Sequence, residues 1–175
     1  GGGNYGAGGL GGRELDVCDF DINYGGLGGQ GLDYTPMNRV FMGGGGGSGS
    51  EVAQAATGGP RTGGGIVIIR ANKLVGNGGV ILANGLTSNN DDVNGADGGG
   101  AGGSVAIAIN NGLSGTLEVE VQGGEGGDEF NNEYAHGTGG GGGGGAIVLN
   151  GALCPSITWD ARGGVSGISQ LGQAV

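Results

Sequence analysis

The sequence predicts an all-β fold: a glycine-rich solenoid that resembles a parallel β-helix, with polyglycine-II segments packed beside or between the strands. Of the 175 residues, 53 are glycine. The apolar runs are short, rich in Val and Ile and bounded by glycine, which favours strands over helices. From residue 59 onward, a unit of glycine run, strand, short turn, strand and polar loop recurs about every 40 residues. An antiparallel β-sandwich is the alternative, because two strands joined by a short turn also form a hairpin.

The first strand of each unit follows directly on a glycine run. Aligned without gaps, the apolar stretches of the three units begin at Ile66, Val105 and Ile147. The second strand of each unit ends in glycine, and both strands keep the same period. We therefore expect corresponding strands of successive units to lie side by side. The closing glycines of the second strands are Gly85, Gly123 and Gly163.

Alternation along the strands predicts which side chains are buried. In TLEVEV, three apolar side chains fall on one face and two glutamates on the other, which is typical of a half-buried strand. SITWDAR alternates in the same way and directs Trp159 inward, where we expect it to fill core between sheets. The run IVII at 66–69 is apolar on both faces, so we expect it to be covered twice. Asn-Gly turns are expected at five places: Asn77, Asn84, Asn94, Asn111 and Asn150.

The chain divides into an irregular glycine-rich cap, residues 1–58, and a three-unit repeat, residues 59–175. Within the cap, RELDVCDFDINY is interpreted as one strand with a bulge between Val17 and Phe20, and TPMNRVFM at 35–42 as a second strand. Repeat arrays need such an atypical terminal unit to cover their open end.

The glycine runs occupy the same place in each unit, immediately before a strand. A flexible linker needs no fixed length or register, whereas an extended three-fold helix packs densely only where neighbouring chains approach without side chains. We therefore expect the runs, of which GTGGGGGGGAI is the longest, to be ordered.

Charge and composition exclude several classes of partner. The net charge of −10 repels phosphate backbones and anionic lipid heads, so neither nucleic acid nor a membrane surface is an expected partner. No apolar run is long enough to cross a bilayer. Cys18 and Cys154 lack the spacing of a zinc or redox site, which leaves one long-range disulfide and two unrelated thiols as alternatives.

Two stretches carry the resemblance to a known family: GGGIVIIRANKLVGNGGVILANG and SVAIAINNGLSGTLEVEVQGG. They resemble the glycine-rich repeats of large bacterial surface adhesin-like proteins and of some phage tail proteins. The glycine runs also resemble those of phage tail-tip adhesins with polyglycine segments. The resemblance covers roughly residues 59–165. It implies a secreted protein at a cell or virion surface and brings no catalytic residues.

One segment matches a calcium-binding motif. GGEGGDEFN at 123–131 fits the nonapeptide GGxGxDxUx once, with Asp128 as the ligand. Glu129, and Asp91 and Asp92 of the preceding loop, are further candidate metal ligands because Ca²⁺ prefers carboxylate oxygens. Successive copies of this motif share each ion, so a single copy leaves calcium as one reading and solvated acidic loops as the other.

Aromatic side chains are the candidate binding residues. Phe130 and Tyr134 belong to the longest acidic loop, where they either contact a glycan or a receptor or pin their own loop. Trp159 is the third candidate. His136 has no nucleophile at a suggestive spacing and is expected to be a loop residue without a function.

The predicted function is that of a non-catalytic extracellular module that presents polar loops on a rigid glycine-rich scaffold. A self-assembling fibre subunit, joined head to tail, is the first alternative. A polysaccharide-degrading enzyme is the second, but Glu118 and Glu120 have only six basic residues in the whole chain to assist them. A phosphate-binding loop is excluded because no GxxxxGK[ST] is present.

Overall fold

The computed structural model describes residues 1–13, 25–36, 38–49, 61–89, 95–130, 136–151 and 156–169. The described residues contain no helix. Their eight short strands form three small sheets, with the orders β1-β4-β7, β2-β5 and β3-β6-β8. The strands are β1 (Ile66–Ala71), β2 (Leu74–Val75), β3 (Gly79–Leu82), β4 (Ser104–Ile109), β5 (Leu113–Ser114), β6 (Leu117–Glu120), β7 (Ala146–Asn150) and β8 (Ile157–Asp160).

Strands of successive units pair side by side, and every pair is parallel. We call β1–β3 the first rung, β4–β6 the second rung and β7–β8 the third rung. In the sheet β1-β4-β7, Val67 lies beside Val105, which lies beside Ile147. In the sheet β3-β6-β8, Ile81 lies beside Val119, which lies beside Trp159.

The expected glycine-rich solenoid resembling a parallel β-helix is wrong as the fold of this chain. The described strands are two to six residues long and form three separate small sheets, which is not a clear solenoid. The antiparallel sandwich is wrong as well, because the described ladders are all parallel. The physical reason is the glycine, whose segments interrupt the strands and hydrogen-bond with each other instead of extending the ladders.

The register of the first strand differs by one residue from the gapless alignment. Val67, not Ile66, lies beside Val105. A one-residue slip moves every side chain to the other face of the sheet. Consequently Ile66 and Ile68 point away from the core and are 41% and 63% exposed, so the expectation that 66–69 is covered on both faces is wrong.

The hydrophobic core lies between the two three-stranded sheets and is centred on the second rung. Val105 and Ile107 of β4 pack in one cluster with Leu117 and Val119 of β6, and all four are buried. Ile157 of β8 is buried with them, but most inward side chains of the outer rungs are only partly buried, because among the described residues each outer rung has a neighbour on one side. Burial of a side chain of this size contributes about 1.5 to 3 kcal/mol, so the second rung provides most of the apolar stabilisation.

The glycine runs are ordered, as expected, and form layers of extended segments. The outer layer follows the strands β3, β6 and β8, the middle layer precedes β1, β4 and β7, and the third layer comes from the first 49 residues. Their members are 83–88, 121–127 and 161–168 (outer layer), 61–65, 96–103 and 137–145 (middle layer), and 1–3, 6–12 and 43–49 (third layer).

Hydrogen bonds between these segments recur at every third residue. Gly139 and Gly142 donate to the carbonyl oxygens of Gly127 and Gly124 at 2.9 and 2.8 Å, and the next donor in this series is Gly145. A period of three residues is that of an extended three-fold helix without internal hydrogen bonds. Each segment therefore depends on its neighbours for its backbone partners.

The close approach of these segments requires glycine. A Cβ added at Gly142 would overlap the carbonyl oxygen of Gly100, and one at Gly143 would overlap that of Gly6. The absence of side chains thus allows the middle layer to lie against segments on several sides at once.

Asn4 and Phe41, which lie next to third-layer segments in the chain, cover the outer face of the sheet β1-β4-β7 near its glycine end. The side-chain nitrogen of buried Asn4 donates to the carbonyl oxygens of Gly102 and Gly103 at 2.7 and 3.1 Å. Ser104 Oγ donates to the Phe41 carbonyl oxygen at 2.7 Å. Asn4 holds this covering segment in place.

The described part of 35–42 contains no strand, so the second strand expected in the cap is wrong.

The Asn-Gly dipeptides have two different roles. Asn77 and Gly78 have φ of 47° and 74°, so they form the expected turn between β2 and β3. Asn84 and Gly85 have no positive φ and belong to the outer glycine layer.

Candidate functional site

Described residues from all three layers meet at one end of the glycine segments, which we call the loop end. They flank four stretches outside the described residues: 14–24, 50–60, 90–94 and 131–135. Gly12 donates to the Thr138 carbonyl oxygen at 2.8 Å, and Ala96 donates to that of Gly137 at 2.9 Å. Gly49 donates to Asp97 Oδ1 at 2.6 Å. The attachment points of these stretches are therefore held together by hydrogen bonds.

The four flanked stretches are acidic in sequence. They contain eight of the 16 acidic residues of the chain and none of its six basic residues. The candidates Asp91, Asp92 and Tyr134 lie in these stretches, outside the described residues. So do Cys18 and the strand expected in RELDVCDFDINY, while Cys154 lies in the undescribed stretch 152–155.

Asp128 and Glu129 lie at the loop end, where the structure gives both of them partners within the protein. Asp128 Oδ1 accepts a hydrogen bond from the backbone N–H of Ile168 at 2.8 Å. Glu129 is fully buried, and its Oε2 accepts from Ser169 Oγ at 3.1 Å. Among the described residues, no three His, Cys, Asp or Glu side chains come close enough together to hold a metal ion. Hydrogen bonds to the described part of the nonapeptide thus join the segment 121–130 to the segment 161–169.

The structure does not bring Phe130 and Trp159 together. Phe130 is half-buried and follows Glu129, which is bridged to Ser169. Trp159 lies ten residues before Ser169 along an extended segment, which corresponds to about 30 Å. Trp159 is also 59% exposed, so the expectation that it fills core is wrong. It faces inward, but no fourth rung covers it among the described residues.

Two concave sites lie at opposite ends of the glycine segments. The cleft at the loop end has a volume of about 230 Å³ and is lined mostly by glycine, together with His136, Thr138 and Ser48. Such a lining offers backbone N–H and carbonyl groups to a small polar ligand.

The second concave site is a groove at the third rung, with a volume of about 770 Å³. Ile147 and Leu149 of β7 and Trp159 of β8 line it, together with Tyr5 and Pro36. Sequence reasoning missed this groove. The available signal was that the third unit repeats the inward apolar positions of the second.

The acidic side chains on β6 and β8 form a polar network on an outer face. Glu120 Oε2 accepts from Asn84 Nδ2 at 2.8 Å. Asp160 forms an ion pair with Arg162, with 2.6 Å between Oδ2 and Nη2. Hydrogen bonds from the Arg162 side chain and backbone hold the pKa of Asp160 below its usual range and raise the pKa of Arg162. Glu120 and Asp160 thus have partners on an exposed surface.

No protein-family model, curated protein or solved structure matches this chain. None of the described residues forms a helix of the length and apolarity needed to cross a membrane.

Proposed function

We propose that this chain is a non-catalytic extracellular module of structural and adhesive function, located at a cell or virion surface. The observation that supports this proposal is the arrangement of the loop end. Four stretches that together carry eight acidic residues and no basic one begin and end on described residues, and these residues hydrogen-bond with each other across the glycine layers. A rigid scaffold that carries its variable segments on one end is a common design for recognition.

The scaffold is suited to hold such stretches in fixed relative positions. The segments behind them are joined by hydrogen bonds at every third residue, and their glycines leave little space between neighbouring backbones. Ordering the backbone before binding lowers the entropic cost of recognition.

The composition of these stretches indicates the class of ligand. Eight acids without a basic residue favour a partner that offers cationic or hydroxyl groups, such as a glycan or a receptor loop. Phe130 and Tyr134 would add stacking contacts to sugar rings or to aliphatic side chains.

The test is binding of the chain to an array of immobilised glycans and to intact cells. The variant replaces residues 131–135 with a glycine-serine stretch of equal length, and Thr158→Ser on the strand surface serves as the control. We expect the loop variant to lose binding while its melting temperature stays unchanged. Equal binding by both variants would contradict the loop end as the binding site. Release of reducing ends from acidic polysaccharides would contradict a non-catalytic role.

A second candidate function is that of a self-assembling fibre subunit. One observation favours it: in the described part of the chain, the end strands β1, β3, β7 and β8 each pair on one side only. Unpaired strand edges are templates for pairing with another chain.

A further inference from the structure

The groove at the third rung has the shape of one missing segment. Its floor is the end of the middle-layer segment 137–145 together with Ile147 and Leu149 of β7. One wall is Gly6 and Ala7 of the third layer, and the other wall is Ala161 and Gly163 of the outer layer. Residues of two flanking layers therefore line the groove together with the middle layer. An additional middle-layer segment and its strand would fill the space between them.

The first rung has end strands that pair on one side only among the described residues, where the third rung has the groove. The middle-layer segment 61–65 is hydrogen-bonded to the third layer through Gly64, to the outer layer through Thr62 and to its middle-layer neighbour through Ala101. Its remaining side, like the free edge of β1, carries no segment among the described residues. Segment 61–65 and β1 thus form a ridge.

Gly65 marks the side of the ridge that lacks a neighbour. Register places Gly65 at the same position as Gly103 and Gly145 of the later rungs. A Cβ on Gly145 would overlap the carbonyl oxygen of Gly103, and a Cβ on Gly103 would overlap that of Gly65. A Cβ on Gly65 would meet no atom of the described residues within 4 Å.

Within one copy, the described residues give no steric reason for glycine at position 65. Gly65 is not among the residues of positive φ, so the backbone conformation there does not require glycine either. Glycine loses more conformational entropy on folding than any other residue. A segment from another copy packed against this side would make glycine necessary at position 65. The carbonyl oxygen of Gly145 from that copy would then lie where the Cβ would be.

Two copies could meet through two first rungs or through the first rung of one copy and the third rung of the other. The charges of the rungs favour the second arrangement. The first rung carries Arg70 and Lys73 and no acidic residue. The third rung carries Asp160, which is paired with Arg162 just beyond the strand. Two first rungs would repel each other, whereas a first rung meets a nearly neutral surface on a third rung.

We propose that the third-rung groove binds the first-rung ridge of a second copy of this chain, with Gly65 of one copy against Gly145 of the other. β1 would pair with β7 and β3 with β8, both parallel, and Ile81 would cover Trp159. The contact continues the rung-to-rung packing already present within the chain. This inference deepens the second candidate function and is independent of ligand binding at the loop end.

The first experiment measures mass by light scattering as the concentration of the chain is raised, at moderate salt to screen the net charge of −10. We expect the mass to rise above 16.6 kDa for the wild type. Gly65→Ala should remain at the monomer mass with an unchanged melting temperature. Gly47→Ala is the matched control, because a Cβ there also meets no described atom within 4 Å, and Gly47 lines the cleft at the loop end and not the groove. It should assemble like the wild type.

The second experiment tests the head-to-tail arrangement by mixing two blocked variants. Gly65→Ala blocks the ridge and keeps the groove, whereas Trp159→Arg keeps the ridge and places a cation in the groove where apolar Ile81 of the second copy would lie. Each variant alone should be monomeric, and an equimolar mixture should form a species of twice the single-chain mass. Trp159 is the only tryptophan, so the emission of Gly65→Ala should shift to the blue when Trp159→Arg is added.

Several results would overturn the proposal. These are a constant monomer mass for the wild type up to about 1 mM, equal assembly of Gly65→Ala and Gly47→Ala, and a mixture of the blocked variants that stays monomeric. Glycan binding by monomeric Gly65→Ala would still support the adhesive function, so the two proposals can fail separately.

Discussion

Asn84 accepts a hydrogen bond through Oδ1 from the backbone N–H of Gln122, at 2.7 Å, on the exposed face of the outer glycine layer. Two similar bonds lie along the same face, from Glu125 N–H to Thr87 Oγ1 and from Ile168 N–H to Asp128 Oδ1. In the inner layers, N–H groups of this kind donate to a neighbouring segment. On this face, side-chain oxygens thus accept the hydrogen bonds that a neighbouring glycine segment accepts in the inner layers. A further glycine segment would find these N–H groups already bonded.

Replacing Asn84 with alanine should lower the free energy of unfolding by about 1 kcal/mol, the usual net value of one hydrogen bond. The bond to Gln122 is short and partly buried, and Asn84 also donates to Glu120. Urea denaturation measures the change. Thr87→Val is the comparison, because its bond is longer and exposed, and it should cost less. Equal losses of unfolding free energy in the two variants would contradict a larger contribution from the shorter, partly buried bond of Asn84.

The ion pair of Asp160 and Arg162 should make a small, pH-dependent contribution to stability. Because Arg162 lowers the pKa of Asp160 below 3.8 in the folded state, the contribution is present above pH 3.8 and is lost as the pH falls through the lowered pKa. The pair is exposed, so solvent and salt weaken it.

The measurement is the urea midpoint of the wild type and of Asp160→Asn from neutral pH down to about pH 2. We expect a small difference that is constant at higher pH and disappears below pH 3.8. Arg162→Gln should produce the same difference, since it removes the same pair. A difference that grew on acidification would contradict this assignment.

The strands could be predicted from the sequence, and their register only in part. Short Val- and Ile-rich runs between glycines identified the pairs of strands, but IVII offered no alternation by which to tell Ile66 from Val67. The turn at Asn77 followed from its Asn-Gly dipeptide, whereas the same dipeptide at Asn84 belongs to a glycine segment of three-residue period. Local sequence does not distinguish these two cases, because the difference depends on which segments lie alongside.

The candidate sites were less predictable than the strands. Alternation correctly placed Trp159 on the inward face, but burial also needs a following rung, which no pattern within one strand reports. Asn4 carried no signal at all, since its partners are backbone carbonyl groups of a segment about 100 residues away. Sites built from backbone groups of distant glycine segments leave little trace in side-chain patterns.

Calcium should raise the melting temperature modestly without requiring Asp128. The Asp128 carboxylate accepts from the Ile168 N–H, and the described residues hold no group of three metal-ligating side chains. Divalent ions would instead relieve the mutual repulsion of the acidic residues. We therefore expect Asp128→Asn, which keeps an acceptor oxygen, to retain almost all of the calcium-induced rise.

The melting temperatures of wild type and Asp128→Asn with calcium, with magnesium and with chelator check this prediction. Similar rises with both ions would agree with a nonspecific effect. A calcium-specific rise that disappears in Asp128→Asn would establish the nonapeptide as a site and contradict our expectation.

Replacing Gly141 and Gly143 together with alanine should destabilise the chain severely. A Cβ at Gly141 would overlap the carbonyl oxygen of Gly164, and a Cβ at Gly143 would overlap that of Gly6, so two neighbouring segments would have to separate. Overpacking costs about 1 to 3 kcal/mol at each site, and the two costs add if the segments separate independently. Gly47→Ala adds the same methyl group into open space and should leave stability unchanged or raise it by up to about 1 kcal/mol. Thermal and urea unfolding of the three proteins measure these effects, and an unchanged midpoint in the double variant would mean that the run 137–145 is a linker rather than part of a packed layer.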